Sequence, residues 1–150
     1  MFCIICPIFR DGAFIFKTIS ISRHFTFNKD ERLKSRKFID QLFNKGKSFS
    51  SFPIKVLYDF TEDTTVPLKA GVTVSSRNFK KAVQRNRVKR ILREAYRLQK
   101  IPLQEMLVGR QKSLVLFFIY TGKELPVYNE VFEKMGIVLR RLHDNIINQS

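Results

Sequence analysis

From Phe25 onward, apolar and polar positions settle into regular periods that mark six elements. Ser35 is placed to cap a helix in which Phe38, Ile39, Leu42 and Phe43 recur at helical spacing, with Gly46 as its stop. Phe52 to Phe60 alternates, with Ile54, Val56 and Tyr58 on one side and Lys55, Leu57 and Asp59 on the other, as in a half-buried strand. A polar turn region follows from Thr61 to Pro67. A second strand, Leu68 to Ser75, turns Ala70, Val72 and Val74 one way. Its other side holds Lys69, Gly71, Thr73 and Ser75, small or polar groups that leave room for a ligand.

A long helix starts near Phe79 and ends before Pro102, because proline does not continue a helix. Ser113 to Tyr120 is apolar on both faces, the mark of a central strand covered on two sides. The last helix, from about Pro126 to Ile147, lines up Phe132, Met135, Leu139, Leu142 and Ile146. The order α-β-β-α-β-α predicts an α+β fold, a small α/β sandwich.

Residues 1–24 stand apart as an apolar leader. The run from Phe2 to Phe9 is broken by Arg10 and Asp11, with neither a preceding cation nor the small residues that a signal peptide places after its apolar stretch. The leader is expected to be a loosely ordered extension or a start upstream of the true domain, leaving residues 25–150 as one domain.

Charge gives this domain its chemistry. The chain has 28 Lys+Arg against 13 Asp+Glu, a formal net charge of +15. The imbalance is concentrated in residues 77–100, where Arg77, Lys80, Lys81, Arg85, Arg87, Lys89, Arg90, Arg93, Arg97 and Lys100 face one acid, Glu94. Advancing about 100° per residue from Arg85, the residues Lys89, Arg93, Asn86, Arg97 and Arg90 fall within roughly 140°. Val88, Ile91, Leu92, Ala95 and Leu98 fill roughly 120° opposite, enough to dock on a core. A cationic face without interleaved acids is the footprint of a polyanion-binding surface, nucleic acid above all.

Other chemistries find little footing. Cys3 and Cys6 have Cys-x-x-Cys spacing, but zinc needs a second ligand pair, and His24 and His143 are not spaced as one. Gly-x-Ser-x-Gly is absent, as are glycine-rich phosphate loops. Asp59, Glu62 and Asp63 read as a solvated turn. No catalytic residue and no metal ligand is assigned. No run approaches the ~18 apolar residues of a membrane span, and two cysteines give no disulfide framework, so a cytoplasmic location is expected. Most of the 15 Phe and 4 Tyr belong to the core. A groove between the first helix and the sheet is nevertheless a natural place for single-stranded RNA, whose bases stack on aromatic rings.

Arg85-Asn86-Arg87-Val88-Lys89-Arg90 resembles the Arg-Asn-Arg-x-x-Arg signature of the bacterial ribonuclease P protein component. The resemblance extends to the approach, Ala70 through Gln84, and to the first helix and turn, Arg32 through Gly46, and covers roughly residues 25–147. It implies a central mixed sheet with a left-handed βαβ crossover, as in some ribosomal proteins. It also implies a ribonucleoprotein endonuclease that removes the 5′ leader of precursor tRNA, with catalysis by an RNA subunit using Mg2+. Arg77, Lys80, Lys81, Arg85, Asn86, Arg87, Lys89, Arg90, Arg93 and Arg97 would bind RNA. Phe38, Ile39, Phe43, Tyr58, Lys69 and Thr73 would form the leader cleft. The implied partners are ribonuclease P RNA and precursor tRNA, with no protein partner and no membrane. Two departures from the family pattern are Ile39, where an aromatic is common, and Lys80-Lys81 in place of Gly-Asn. The alternative is a ribosomal-RNA-binding or ribosome-assembly protein with no role in tRNA processing.

Overall fold

A computed structural model describes residues 26–61 and 66–148. The leader with Cys3, Cys6 and His24, and the turn residues Glu62 and Asp63, lie outside them. The elements are α1 (Arg36–Lys45), β1 (Lys47–Ser51), β2 (Ile54–Thr61), β3 (Leu68–Val74), α2 (Ala82–Gln99), α3 (Ile101–Gly109), β4 (Ser113–Tyr120) and α4 (Tyr128–Ile147). The expected six elements are all present, and β1 and α3 are added to them. In α3 the proline expected to end the long helix instead sits in the first turn of a new one, where its missing N–H costs nothing.

The sheet order is β1-β2-β4-β3. β1 pairs antiparallel with β2, β2 antiparallel with β4, and β3 parallel with β4. The chain therefore crosses over through α2 and α3 to return beside β3. As its two-sided apolar pattern requires, β4 is central, and Leu114 through Phe118 are all buried.

Each sheet face carries its own core. On one, Ile54, Val56, Tyr58, Leu68, Ala70, Val74, Leu114, Leu116, Phe118 and Tyr120 meet the buried stripes of α2 and α4. On the other, Leu57, Val115 and Phe117 pack under Leu42 of α1 and Leu33. Leu57 is thus core rather than the outer side of a half-buried strand.

Residues 27–33 link the two cores around the edge of β3. Phe27 meets the Tyr96 ring edge-on at 5.6 Å, while Leu33 enters the α1 core. Between them the Ala70 amide donates to the Glu31 carbonyl at 2.7 Å, and the Leu33 amide donates to the Ala70 carbonyl at 3.0 Å. The Lys100 ammonium, 2 % exposed, lies 2.6 Å from both Glu31 carboxylate oxygens. Lys100 therefore leaves the basic group to which its sequence neighbours assign it.

Candidate nucleic-acid interface

Along α2 the buried positions are Val88, Leu92, Ala95 and Tyr96. Measured from Arg85, they span roughly 280° to 20°, so the helix is rolled by roughly 50° from the orientation that the apolar residues alone suggest. Tyr96 causes the roll. Its ring is inserted between Phe27 and Phe118, 5.6 and 5.4 Å away.

The roll divides the expected RNA-binding residues into two groups. Arg85 is turned inward, and its Nη1 donates to the carbonyls of Phe79 and Lys80 at 2.9 and 2.7 Å. Arg97 forms a two-point ion pair with Glu94, at 2.6 and 2.9 Å. That hydrogen bond holds the Glu94 carboxyl below its usual range and raises the guanidinium further. Asn86, Arg87, Arg90 and Arg93 are exposed and Lys89 is half-buried. Among the described residues, Arg87, Lys89, Arg90 and Arg93 pair with no carboxylate. Arg77, Lys80 and Lys81 add three exposed cations in the loop before the helix, also unpaired.

That loop turns without glycine. Lys81 caps α2 from an extended conformation, φ −76° and ψ 127°. Side chains fix the loop instead. Asn78 donates from Nδ2 to the carbonyls of Thr121 and Gly122, both at 3.0 Å. Phe79 is buried with its ring 6.0 Å from that of Tyr120. Together with the inward Arg85, these contacts replace the tight glycine turn that Lys80-Lys81 rules out.

The cleft lies beside α1 on the opposite sheet face. Lys69, Gly71 and Thr73 share one side of β3, in register with Val115, Phe117 and Ile119 of β4. Phe38 and Ile39 are half-buried along its α1 wall. Phe43, 55 % exposed, stands edge-on against Phe117 with centroids 5.7 Å apart. Phe117 packs closely over β3 because Gly71 has no side chain: a Cβ there would be 2.5 Å from its Cδ2. Gly71 lies on the side of β3 expected to leave room for a ligand, but the ring that fills this room, Phe117, was not anticipated as part of the cleft, although a glycine inside a strand already signals close approach. Tyr58, expected in the cleft, belongs elsewhere. The pleat puts it on the α2/α4 face, buried with its ring 6.1 Å from that of Phe49.

Both surfaces offer ammonium, guanidinium and aromatic groups, which are not ligands for a hard cation such as Mg2+. Among the described residues no three His, Cys, Asp or Glu side chains cluster as a metal site. Nor is any helix among them long and apolar enough to cross a membrane.

The sequence model of the family described as Ribonuclease P matches residues 27–143. A ribonuclease P protein component of Porphyromonas gingivalis is 37 % identical over 123 residues, 81 % of this chain and 90 % of that protein. One of Geotalea uraniireducens is 44 % identical over 121 residues, 81 % of this chain and 98 % of that protein. Among solved structures, the RNase P protein of Thermotoga maritima superposes with a TM-score of 0.60 at 26 % identity, covering 73 % of this chain and 96 % of that one. With its family-wide sequence match, its mixed four-stranded sheet and its basic helix, the chain belongs to the ribonuclease P protein family.

Proposed function

We propose that this chain is the protein subunit of ribonuclease P, the endoribonuclease that removes the 5′ leader from precursor tRNA. The exposed cations of α2 and its preceding loop, Arg77, Lys80, Lys81, Arg87, Arg90 and Arg93, bind the RNA subunit together with the Asn86 amide and the half-buried Lys89. Arg85 and Arg97 act as positioning residues, holding the loop and Glu94. The cleft beside α1 takes the single-stranded leader, with Phe43 as stacking ring, Phe38 and Ile39 as wall, and Lys69 and Thr73 as polar contacts. Phosphodiester hydrolysis and its Mg2+ ions belong to the RNA subunit in this reading. The chain itself supplies affinity for the leader and lowers the repulsion between RNA segments, which helps the RNA hold magnesium. A cytoplasmic site of action is part of the proposal. The ribosomal alternative is not favoured, since the matching family and relatives carry the ribonuclease P description.

One observation carries this reading. Six exposed cations (Arg77, Lys80, Lys81, Arg87, Arg90 and Arg93) sit without acidic partners among the described residues, on a helix and loop whose underside is locked into the core. If each neutralises one phosphate, log–log binding against salt has a slope of about −4 to −5. The test is reconstitution with ribonuclease P RNA and measurement of 5′-leader removal at low magnesium. Stimulation by the chain, lost in Arg87→Ala/Arg90→Ala, is expected. Unchanged processing with and without the chain overturns the proposal.

A further inference from the structure

The two surfaces just described are on opposite faces of the sheet, and residues 27–37 are the part of the chain that joins them. This segment leaves the α2 side at Phe27, is pinned along β3 by the Glu31 and Leu33 backbone bonds to Ala70, and enters α1 at Arg36. Its inward groups are fully used. Glu31 neutralises Lys100, and Leu33 fills the α1 core. Most of the charged outward groups are cations: Lys29, Arg32, Lys34, Arg36 and Lys37 are all exposed beside one exposed acid, Asp30, and none of the five pairs with a carboxylate among the described residues. Arg32 is held in place, donating from Nη2 to the Phe27 carbonyl at 3.2 Å with its guanidinium 5.4 Å from that ring's centroid. The Glu31 carboxylate, turned toward the protein, cancels the buried Lys100 ammonium, so the outer side of the strap, five cations against the single exposed acid Asp30, is strongly net positive.

Resting on the reading of the cleft as the leader site, we propose that this strap is a second leader-binding surface, on which Lys29, Arg32 and Lys34 follow the phosphate backbone of the precursor's single strand after it leaves the cleft over the edge of β3. A single strand fits better than a folded RNA. The cations are strung through a turn between Lys29 and Arg32 and the bridged stretch from Arg32 to Lys34 along one sheet edge. Among the described residues no exposed aromatic side chain lies beside them to stack on bases, an arrangement that tracks a flexible backbone without sequence preference.

The experiment uses the holoenzyme reconstituted from the full chain and ribonuclease P RNA, with one precursor tRNA carrying 5′ leaders of increasing length. Lys29→Gln/Lys34→Gln removes two charges whose side chains make no hydrogen bond or ion pair among the described residues, and adding Arg32→Gln removes the third. For long leaders the triple variant is expected to bind roughly tenfold more weakly, with the salt slope smaller in magnitude by about 2, about 0.7 for each phosphate lost. For the shortest leaders and for leaderless tRNA, variant and wild type should agree within about twofold, and so should their affinity for the RNA subunit alone. An equal loss at every leader length overturns the proposal, since the strap would then touch the RNA subunit or act only through net charge. Unaltered long-leader binding also overturns it. If instead the wild-type enzyme gains nothing from any leader, the cleft reading itself fails, and the two failures are told apart. Urea midpoints of the variants equal to wild type show that folding is not the cause of any loss.

Discussion

Removing the Glu31 carboxylate should cost this small protein a large share of its stability, although Glu31 lies outside every helix and strand. Glu31→Gln keeps the shape but leaves the Lys100 ammonium, 2 % exposed, facing a neutral amide. Two charges about 4 Å apart attract by about 4 kcal/mol at the effective dielectric near a protein surface, and breaking a buried pair by losing one partner costs about 3–5 kcal/mol. Glu31 retains 14 % exposure, so some water reaches the site and the lower end, about 3 kcal/mol, is expected. In urea, with a slope of about 1.5 kcal/mol per molar, this moves the unfolding midpoint down by about 2 M. Circular dichroism followed through a urea titration measures it. The double replacement Glu31→Leu/Lys100→Met should come back to within about 1 kcal/mol of wild type, because the two desolvation costs vanish together with the attraction. A loss below about 1 kcal/mol for Glu31→Gln alone would refute the reasoning, as would a double variant no more stable than the single ones.

Three further outcomes separate structural from RNA-facing groups. Arg85→Ala should lower stability by about 1–2 kcal/mol by freeing two loop carbonyls, whereas Arg87→Ala stays within about 0.5 kcal/mol in thermal melts yet weakens RNA binding. Gly71→Ala should destabilise by about 1–3 kcal/mol, since the Phe117 ring has to leave β3 and takes the support of Phe43 with it; leader affinity measured beside the melt should fall too. Tyr96→Phe should be neutral or stabilising by up to about 1 kcal/mol near neutral pH, because the buried hydroxyl has no hydrogen-bond partner among the described residues. Burial first, and the Glu31 charge second, raise the Tyr96 pKa well above 10.0. The folded state thus keeps a proton that the unfolded state releases, and this contribution, complete below pH 10, declines above it. The stability advantage of Tyr96→Phe should widen from pH 9 to pH 11 in urea titrations.

Patterns set by burial on one or both faces were legible in the sequence. The two-sided apolar run of β4 placed it in the middle of the sheet, and the stripe of α4 identified Met135, Leu139, Leu142 and Ile146 as core. β1 was hidden because Lys-Ser-Phe-Ser-Ser has a single apolar residue to bury, Phe49, and strands with that little contrast carry no period. α3 was hidden because Pro102 reads as a stop unless the first turn is already known. The face of α2 was legible only in outline: periodicity gives a helix two sides, while the roll that turns Arg85 inward depends on Tyr96 meeting Phe27 and Phe118. Lys100 could not be separated from its basic neighbours, because its partner lies 69 positions earlier.

The strand order also bears on how the polypeptide is made. β2 and β3 are not neighbours; β4 lies between them, and it is the last strand to be synthesised. Until Tyr120 has left the ribosome, both earlier strands keep a bare hydrogen-bonding edge, and the ring of Phe117 that supports the cleft does not yet exist. At about 5–20 residues per second this gap lasts for seconds. The newborn chain thus carries its basic helix before it has a closed sheet on which to mount it, and productive association with RNA has to wait for the final insertion.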